Sequence, residues 1–554
     1  MKNTFKTICA LILCAAAFAC TDQLQDDAVK SVITADVTSI NEVAANNPAE
    51  FPVSIKSNVN WIVETPEWVT PSAVFGHGDA ILTFSFASNY KNETTTTKSR
   101  SGEIKISGGG TLNGKGAVLT IPVAQLGFTY IDPSAPIGGI SNADEFVDFC
   151  KAVSAGTGTK RWQNDEGHVV LLDDIDLSGV QKWIPAGSVQ ACGTPAYEGN
   201  AFSGVFDGQG HKITGISWTY DVTETETHAI GLFAAIDEAV VKNLVIGAEG
   251  DQITIVGSSQ KVIAVGSLAG HIKNSTISGI TNYVNVVLAD KDAAVPGDNP
   301  AVLMMLGGIA GTITAPMTFG TQAEPIKNYG EVKTGKITNT GNGGSGMTVG
   351  GIVAFTVGVD GAELKMDYCY NYGGVSAPTG RGGGLVGTLG GATAATALTT
   401  ISNCENHGLI QDDVVGQFEG QAGNHNNKRL GGLVGGTVTN NTGAVIDGCT
   451  NYGNVFSQLG CRTGGFVGHN QATIKNCVNK GVILAKNSDP KAEHGAGWAC
   501  GFNGKKELIT GCVKGGRVGD YDTYKDNPTS APEASDDNAC AYKNSERYDP
   551  SANN

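Results

Sequence analysis

Basic residues are scarce in this sequence: 37 Lys and Arg stand against 53 Asp and Glu, a formal net charge of −16. That balance argues against a nucleic-acid partner, whose phosphates demand basic patches. Long apolar runs are also missing. Beyond residue 18 no stretch reaches the ~18 apolar residues that a membrane-spanning helix needs. No two cysteines are spaced C-x-x-C, so neither a zinc ribbon nor a thioredoxin-like redox site has support. Glycine, by contrast, is abundant at 77 of 554 residues, about twice its ordinary usage. It follows no collagen period, so it must serve turns, and many turns mean many short strands.

The N-terminus reads as a targeting signal. Lys2 and Lys6 precede an apolar stretch, Ile8 to Phe18, that is too short to span a bilayer and ends in Ala17-Phe18-Ala19-Cys20. This layout resembles a lipoprotein signal peptide, with a plain secretory peptide as the alternative. The resemblance implies that residues 1–19 are removed and that Cys20 becomes the acylated first residue, the sole membrane anchor. The acidic leader over 20–30, with Thr21-Asp22-Gln23-Leu24-Gln25-Asp26-Asp27, resembles the signal that sends lipoproteins of the Bacteroidetes to the outer face of the outer membrane.

Residues 31–126 alternate apolar and polar positions at Phe51/Val53/Ile55, Leu82/Phe84/Phe86, Ile104/Ile106 and Leu119/Ile121/Val123. Turn residues separate these runs at the spacing of an immunoglobulin-like β-sandwich. Ser57-Asn58-Val59-Asn60-Trp61, Pro66-Glu67-Trp68-Val69, Gly102-Glu103-Ile104 and Leu119 to Gln125 together resemble the BACON domain of Bacteroidetes surface proteins. That resemblance implies either a glycan-binding module or a spacer, with Trp61 and Trp68 in its core.

An opening segment covers 137–230. Ile140 to Val153 reads as a helix capped by Ser141 or Asn142, with Phe146, Phe149, Cys150 and Val153 on one face. Val169 to Gly179, Trp183-Ile184-Pro185 and Phe202 to Ile213 follow, and resemble the first coils of bacterial surface β-helices with GLUG repeats. Over 231–520 a unit recurs: Gly-Gly-(Leu/Ile/Phe)-(Val/Ala)-Gly, a variable stretch, then Ile-x-(Asn/Gly)-Cys-x-Asn-x-Gly-x-(Val/Ile). It runs from Gly383 to Ile410, Gly431 to Val455 and Gly464 to Val482, with weaker copies from Gly307, Gly350 and Cys500. Constant strand signatures with variable spacers mean one coil per repeat, stacked at ~4.8 Å. The repeats resemble the GLUG family, which implies a parallel β-helix. Residues 521–554 read as a cap strand followed by a polar tail, as a solenoid end requires. The expected fold is therefore all-β: an N-terminal immunoglobulin-like β-sandwich followed by a parallel β-helix.

Several groups invite a chemical reading. Cys369, Cys404, Cys449, Cys477 and Cys512 recur at one register, but the apolar pattern around them reads as core, with a disulfide between coils as the alternative. Asn403/Asn406, Asn451 and Asn476/Asn479 suggest an amide ladder at a corner. Gly341-x-Gly343-x-x-Gly346, Gly382-x-Gly384-x-x-Gly387 and the Walker-like Gly109 to Lys115 lie in no βαβ unit and read as chance. Asp173, Asp174 and Asp176, and Asp207 with His211, read as corner residues rather than as catalytic carboxylates. No Lys or Arg base is evident on the coils to serve a lyase.

Exposed aromatics would suit a glycan. The candidates are Tyr329, Tyr372 and Tyr452, each before a corner glycine, and Trp498, with Trp162, Trp183 and Trp218 behind them. The tyrosines form either an outward stripe or an inward stack; the sequence leaves both open. No catalytic residue, metal or cofactor is assigned. The expectation is a cell-surface lipoprotein for adhesion or glycan binding, its partner a polysaccharide or a host-surface glycan. The alternatives are a polysaccharide lyase or glycoside hydrolase, and a structural component associated with outer-membrane proteins or a pilus-like assembly.

Overall fold

The computed structural model describes residues 30–540, apart from 93–94, 110–115, 129–134, 181–182, 190, 193–196, 223–228, 257–261, 290–303, 336–346, 379, 391–397, 413–427, 439–442, 459, 487–494 and 505–507. The segment expected to be a signal peptide, Cys20, nearly all of the expected leader, the tail beyond 540 and the glycine motif at 341–346 lie outside the described residues, as does most of the Walker-like stretch. The chain divides into two compact units, residues 1–135 and 136–554.

The first unit holds two sheets. One orders the strands Ile33–Ala35, Phe51–Ser57, Ala80–Phe86 and Val69–Pro71; the other orders Ile40–Val43, Ala117–Gln125, Arg100–Gly108, Asn60–Glu64 and Phe75–His77. The pairs are antiparallel except that of Ile40–Val43 with Ala117–Gln125. Because successive side chains point to opposite faces, the alternating positions read above supply one core containing Val53, Ile55, Leu82, Phe84, Ile104, Ile106, Ile121 and Val123. Trp61 is buried among them and its Nε1 donates to Gly78 O at 2.9 Å.

The second unit is built from long parallel sheets, as a β-helix or solenoid requires. Three sheets of 22, nine and eight strands run through it. Residues at equivalent places in successive coils pair in register: Val332 with Val375, Val375 with Ile410, Ile410 with Val455, and Val455 with Ile483. A coil thus absorbs a long or a short insertion without disturbing its strands. The Gly-Gly-Leu-Val-Gly signature has a steric cause. A Cβ on Gly383 would lie 2.1 Å from Val386 O, one on Gly384 2.2 Å from Gly432 O, and one on Gly387 2.7 Å from Val349 N. In the coils that carry the full signature, two strands therefore pack backbone to backbone, an approach that glycine permits.

The ends are closed differently. The helix Ala143–Ala155 starts at Asn142, whose side chain accepts from Glu145 N at 3.0 Å, and stops at Gly156 with φ 67°. Its buried residues are Phe146, Phe149, Cys150 and Val153, the face expected from the 3.6-residue period. Phe146 and Phe149 pack on Trp183, Phe202, Phe206 and Phe233. At the other end no cap strand follows residue 521 among the described residues. Short helical turns at Tyr521–Tyr524, Pro528–Ser530 and Asp536–Asn538 carry the chain back instead, and Ala539 O accepts from Ala499 N and Cys500 N.

Candidate functional site

One corner of the repeat begins with an inward asparagine. Asn282, Asn328, Asn371, Asn406, Asn451 and Asn479 are fully buried, and each Nδ2 in turn donates to the Oδ1 of the next, at 2.7, 2.9, 2.9, 2.9 and 2.8 Å. The same amide closes its own turn: Asn406 Nδ2 donates to Gly408 O at 3.0 Å and its Oδ1 accepts from Gly408 N at 3.2 Å. The expected ladder exists, but only Asn406, Asn451 and Asn479 of its predicted members belong to it. Asn403 and Asn476 take the left-handed conformation at another corner and bind Asp367 and Asp447.

Because a strand alternates its faces, the residue after each ladder asparagine points outward. Tyr283, Tyr329, Tyr372 and Tyr452 are 38 to 41 % exposed. With His407 they form one continuous stack, Tyr283–Tyr329–Tyr372–His407–Tyr452, whose ring centroids are 5.0, 4.8, 4.8 and 4.5 Å apart. Lys480 ends it, its Nζ 4.5 Å from the centre of the Tyr452 ring. The tyrosine stripe is thus outward, and its rings cover one another's faces. What it presents along its length is ring edges. Tyr283 and His407 were missed in the sequence because Val284 follows one in place of glycine and the other is not a tyrosine. The shared signal is the asparagine before each.

The tryptophans do not join this surface. Trp498 was expected to be exposed but is fully buried; it packs edge-on against Phe466 and its Nε1 donates to Ser535 O at 2.9 Å. Trp162, Trp183 and Trp218 are likewise buried, the last two stacked 4.6 Å apart. None of the four can offer a ring face to a ligand.

Asp173, Asp174 and Asp176 are exposed, and Asp207 is partly buried. Asp174 accepts from Lys212 N at 3.0 Å and meets His211 Nδ1 at 3.1 Å, and these two contacts hold its carboxyl below the usual range. Asp176 is lowered by the backbone N–H of Ser178. Asp207 accepts from Gln209 N and Asn243 Nδ2 and pairs with Lys242. Among the described residues no group of His, Cys, Asp or Glu is arranged to hold a metal ion. The column cysteines are free and buried. Their thiols donate back to the carbonyl two residues earlier, as from Cys404 to Ser402 O at 3.0 Å and from Cys477 to Lys475 O at 3.3 Å.

A basic column does lie on the coils, contrary to the sequence reading. Arg381, Arg429 and Arg462 pair in register on successive parallel strands. They face a second column, Thr388, Gly436, His469 and Phe502, across the narrow glycine-lined part of the coil. Arg381 Nη1 donates to Thr388 Oγ1 at 3.4 Å. Gly436 leaves room for Arg429, since a Cβ there would lie 2.9 Å from Arg429 Cδ. Arg462 contacts His469 Nδ1 and its guanidinium lies 4.9 Å from the centre of the Phe502 ring. Burial, followed by the neighbouring guanidiniums of Arg381 and Arg462, brings Arg429 down to about 9. Burial and the three arginines hold His469 down to about 2, so it is neutral. The signal was present: each arginine stands two residues before the Gly-Gly pair of its repeat.

No protein-family model matches the chain. A stretch of 179 residues, 31 % of the chain, is 28 % identical to part of halomucin from Haloquadratum walsbyi. It corresponds to 2 % of halomucin's length, so the likeness is to a small segment of a far longer protein.

Proposed function

We propose that this protein is a surface lipoprotein for adhesion or glycan binding, with the parallel coils as its extended binding surface. In this reading Cys20 is the acylated residue and the chain is held on the outer membrane, facing outward, by lipid alone. The first unit is an immunoglobulin-like, BACON-type sandwich serving as spacer or accessory binding module, and the coils are GLUG-type repeats. The observation that carries the reading is the outward stack of Tyr283, Tyr329, Tyr372, His407 and Tyr452. It places a polar-edged aromatic group on successive coils along one line, which suits a chain molecule. Since the ring faces are engaged with each other, contact with a sugar chain runs through phenol edges and hydroxyls.

The test is a polysaccharide array probed with the purified protein, with and without calcium, reading bound protein and released sugar together. Binding without release, reduced by Tyr329→Ala with Tyr372→Ala, is the expected result. Release of sugar would point to a lyase or hydrolase. Absence of both would favour a structural role among outer-membrane proteins.

A further inference from the structure

We propose that Arg381, Arg429 and Arg462 form an oxyanion-binding slot that takes the sulfate or carboxylate groups of an acidic polysaccharide. The inference deepens the glycan-binding reading and rests on it. Like charges directly opposite each other destabilise a sheet, yet here they are stacked on adjacent strands in register. Removal from water adds to that cost. Arg462 is 8 % exposed, and Arg381 and Arg429 are half-buried. A guanidinium carries five N–H donors in a planar fork. Among the described residues Arg381 has one hydrogen-bond partner, Thr388, and Arg429 Nε is buried with none. No described carboxylate pairs with either residue.

The surroundings are fitted to these side chains rather than merely tolerant of them. Gly436 stands opposite Arg429 and leaves room for its side chain, and neutral His469 stands opposite Arg462 in place of a further charge. In a protein of net charge −16 this is a local concentration of cationic forks. Such forks match the paired oxygens of carboxylate or sulfate. Rungs ~4.8 Å apart set three of them along one line. That arrangement favours a polymer bearing repeated oxyanions over a single small anion.

The experiment is calorimetric titration of the purified full chain with dextran sulfate, polygalacturonate and neutral dextran at two ionic strengths. At least one acidic polymer should bind, more weakly at high salt, and the arm that binds identifies the oxyanion. Arg381→Gln with Arg429→Gln should weaken that binding by roughly tenfold or more, the equivalent of one lost charge-assisted contact. The pair should leave the melting temperature unchanged or raised, because it relieves repulsion. Arg381→Lys, which keeps the charge but loses the fork, should also weaken binding, and it reads the same point if the pair fails to fold. The proposal is overturned if neither acidic polymer binds, or if binding survives these substitutions. A neutral glycan bound on the array in either of those cases would leave the broader reading standing, whereas no bound glycan of any kind would overturn both.

Discussion

The asparagine ladder shows how much one buried side chain can hold. Asn406 is at once acceptor for Asn371, donor to Asn451 and both partners of its own turn at Gly408. Leucine there would fit the apolar core on one side but strand donors and acceptors in three coils. Each orphaned group carries a desolvation penalty. Asn406→Leu should therefore lower the unfolding free energy by roughly 3–5 kcal/mol, read by urea denaturation. A change under about 1 kcal/mol would mean that water enters the corner. The adjacent thiols lead to a pH dependence. Burial, and then the thiol of the preceding coil, keeps Cys404 and Cys449 well above the ordinary value of 9.0. As pH climbs past that value the unfolded chain loses these protons while the folded one retains them, so stability must fall. The urea midpoint should drop between pH 7 and pH 10. Cys404→Ala with Cys449→Ala should show a smaller drop, although it starts from a lower midpoint; an equal drop would place the alkaline effect elsewhere.

At the scale of the element, what was legible depended on whether a local period existed. The helix Ala143–Ala155 was readable down to its four buried residues because the 3.6-residue spacing of Phe146, Phe149 and Val153 admits no other use. Its cap is as local, and Asn142→Ala should cost about 1 kcal/mol in a thermal melt. The first unit was readable from strict two-residue alternation. The coils were readable as repeats, and the inward cysteines followed from the apolar residues around them. The direction of Tyr329 was not, because it lies at a corner between an asparagine and a glycine, where alternation has no apolar partner to declare it. The arginine column escaped for a related reason. Its strands, such as Arg381–Gly383, are three residues long and rich in glycine, too short for a period. Trp498 was misplaced because the segment that covers it, around Ser535 to Ala539, is polar and reads as tail. The glycine motif makes the sharper test. Alanine at Gly384 would set its Cβ 2.2 Å from Gly432 O and 2.3 Å from Asn406 Cγ, backbone and ladder atoms that cannot swing away. Gly179, with nothing within 4 Å of such a Cβ, is the matched control. Gly384→Ala should abolish the cooperative melt or cost on the order of 3 kcal/mol or above, a fall of about 3 °C or more for a unit of this size, and Gly179→Ala should do neither.

For the repeat unit as a whole, the coils behave as interchangeable layers whose columns are read by register alone. Cys369 is followed in its column by Cys404 and Cys449, Asn371 by Asn406 and Asn451, Val375 by Ile410 and Val455, and Arg381 by Arg429 and Arg462. Deleting residues 404–448 joins Asn403, at a left-handed corner position, to Cys449, whose own preceding residue, Gly448, has the same conformation. Every column then closes over the gap: Asn371 meets Asn451, Tyr372 meets Tyr452 and Arg381 meets Arg462. In a stack where each layer contacts only its neighbours, the loss is one coil's worth of stability and not the fold. The shortened protein should therefore melt cooperatively at a modestly lower temperature with an unchanged circular-dichroism signature per residue. Deleting 404–449 removes a single residue more, which puts Thr450 in the thiol column and turns Asn451 outward. A one-residue slip exchanges the two faces of the strands between the junction and the next variable spacer, the ladder and aromatic columns among them, so this variant should aggregate or lose its cooperative transition. Equal behaviour of the two deletions would mean that register is not what holds the coils together. The first deletion also removes Arg429 and leaves two of the three forks, so it should bind acidic polysaccharide more weakly than the full chain while remaining folded.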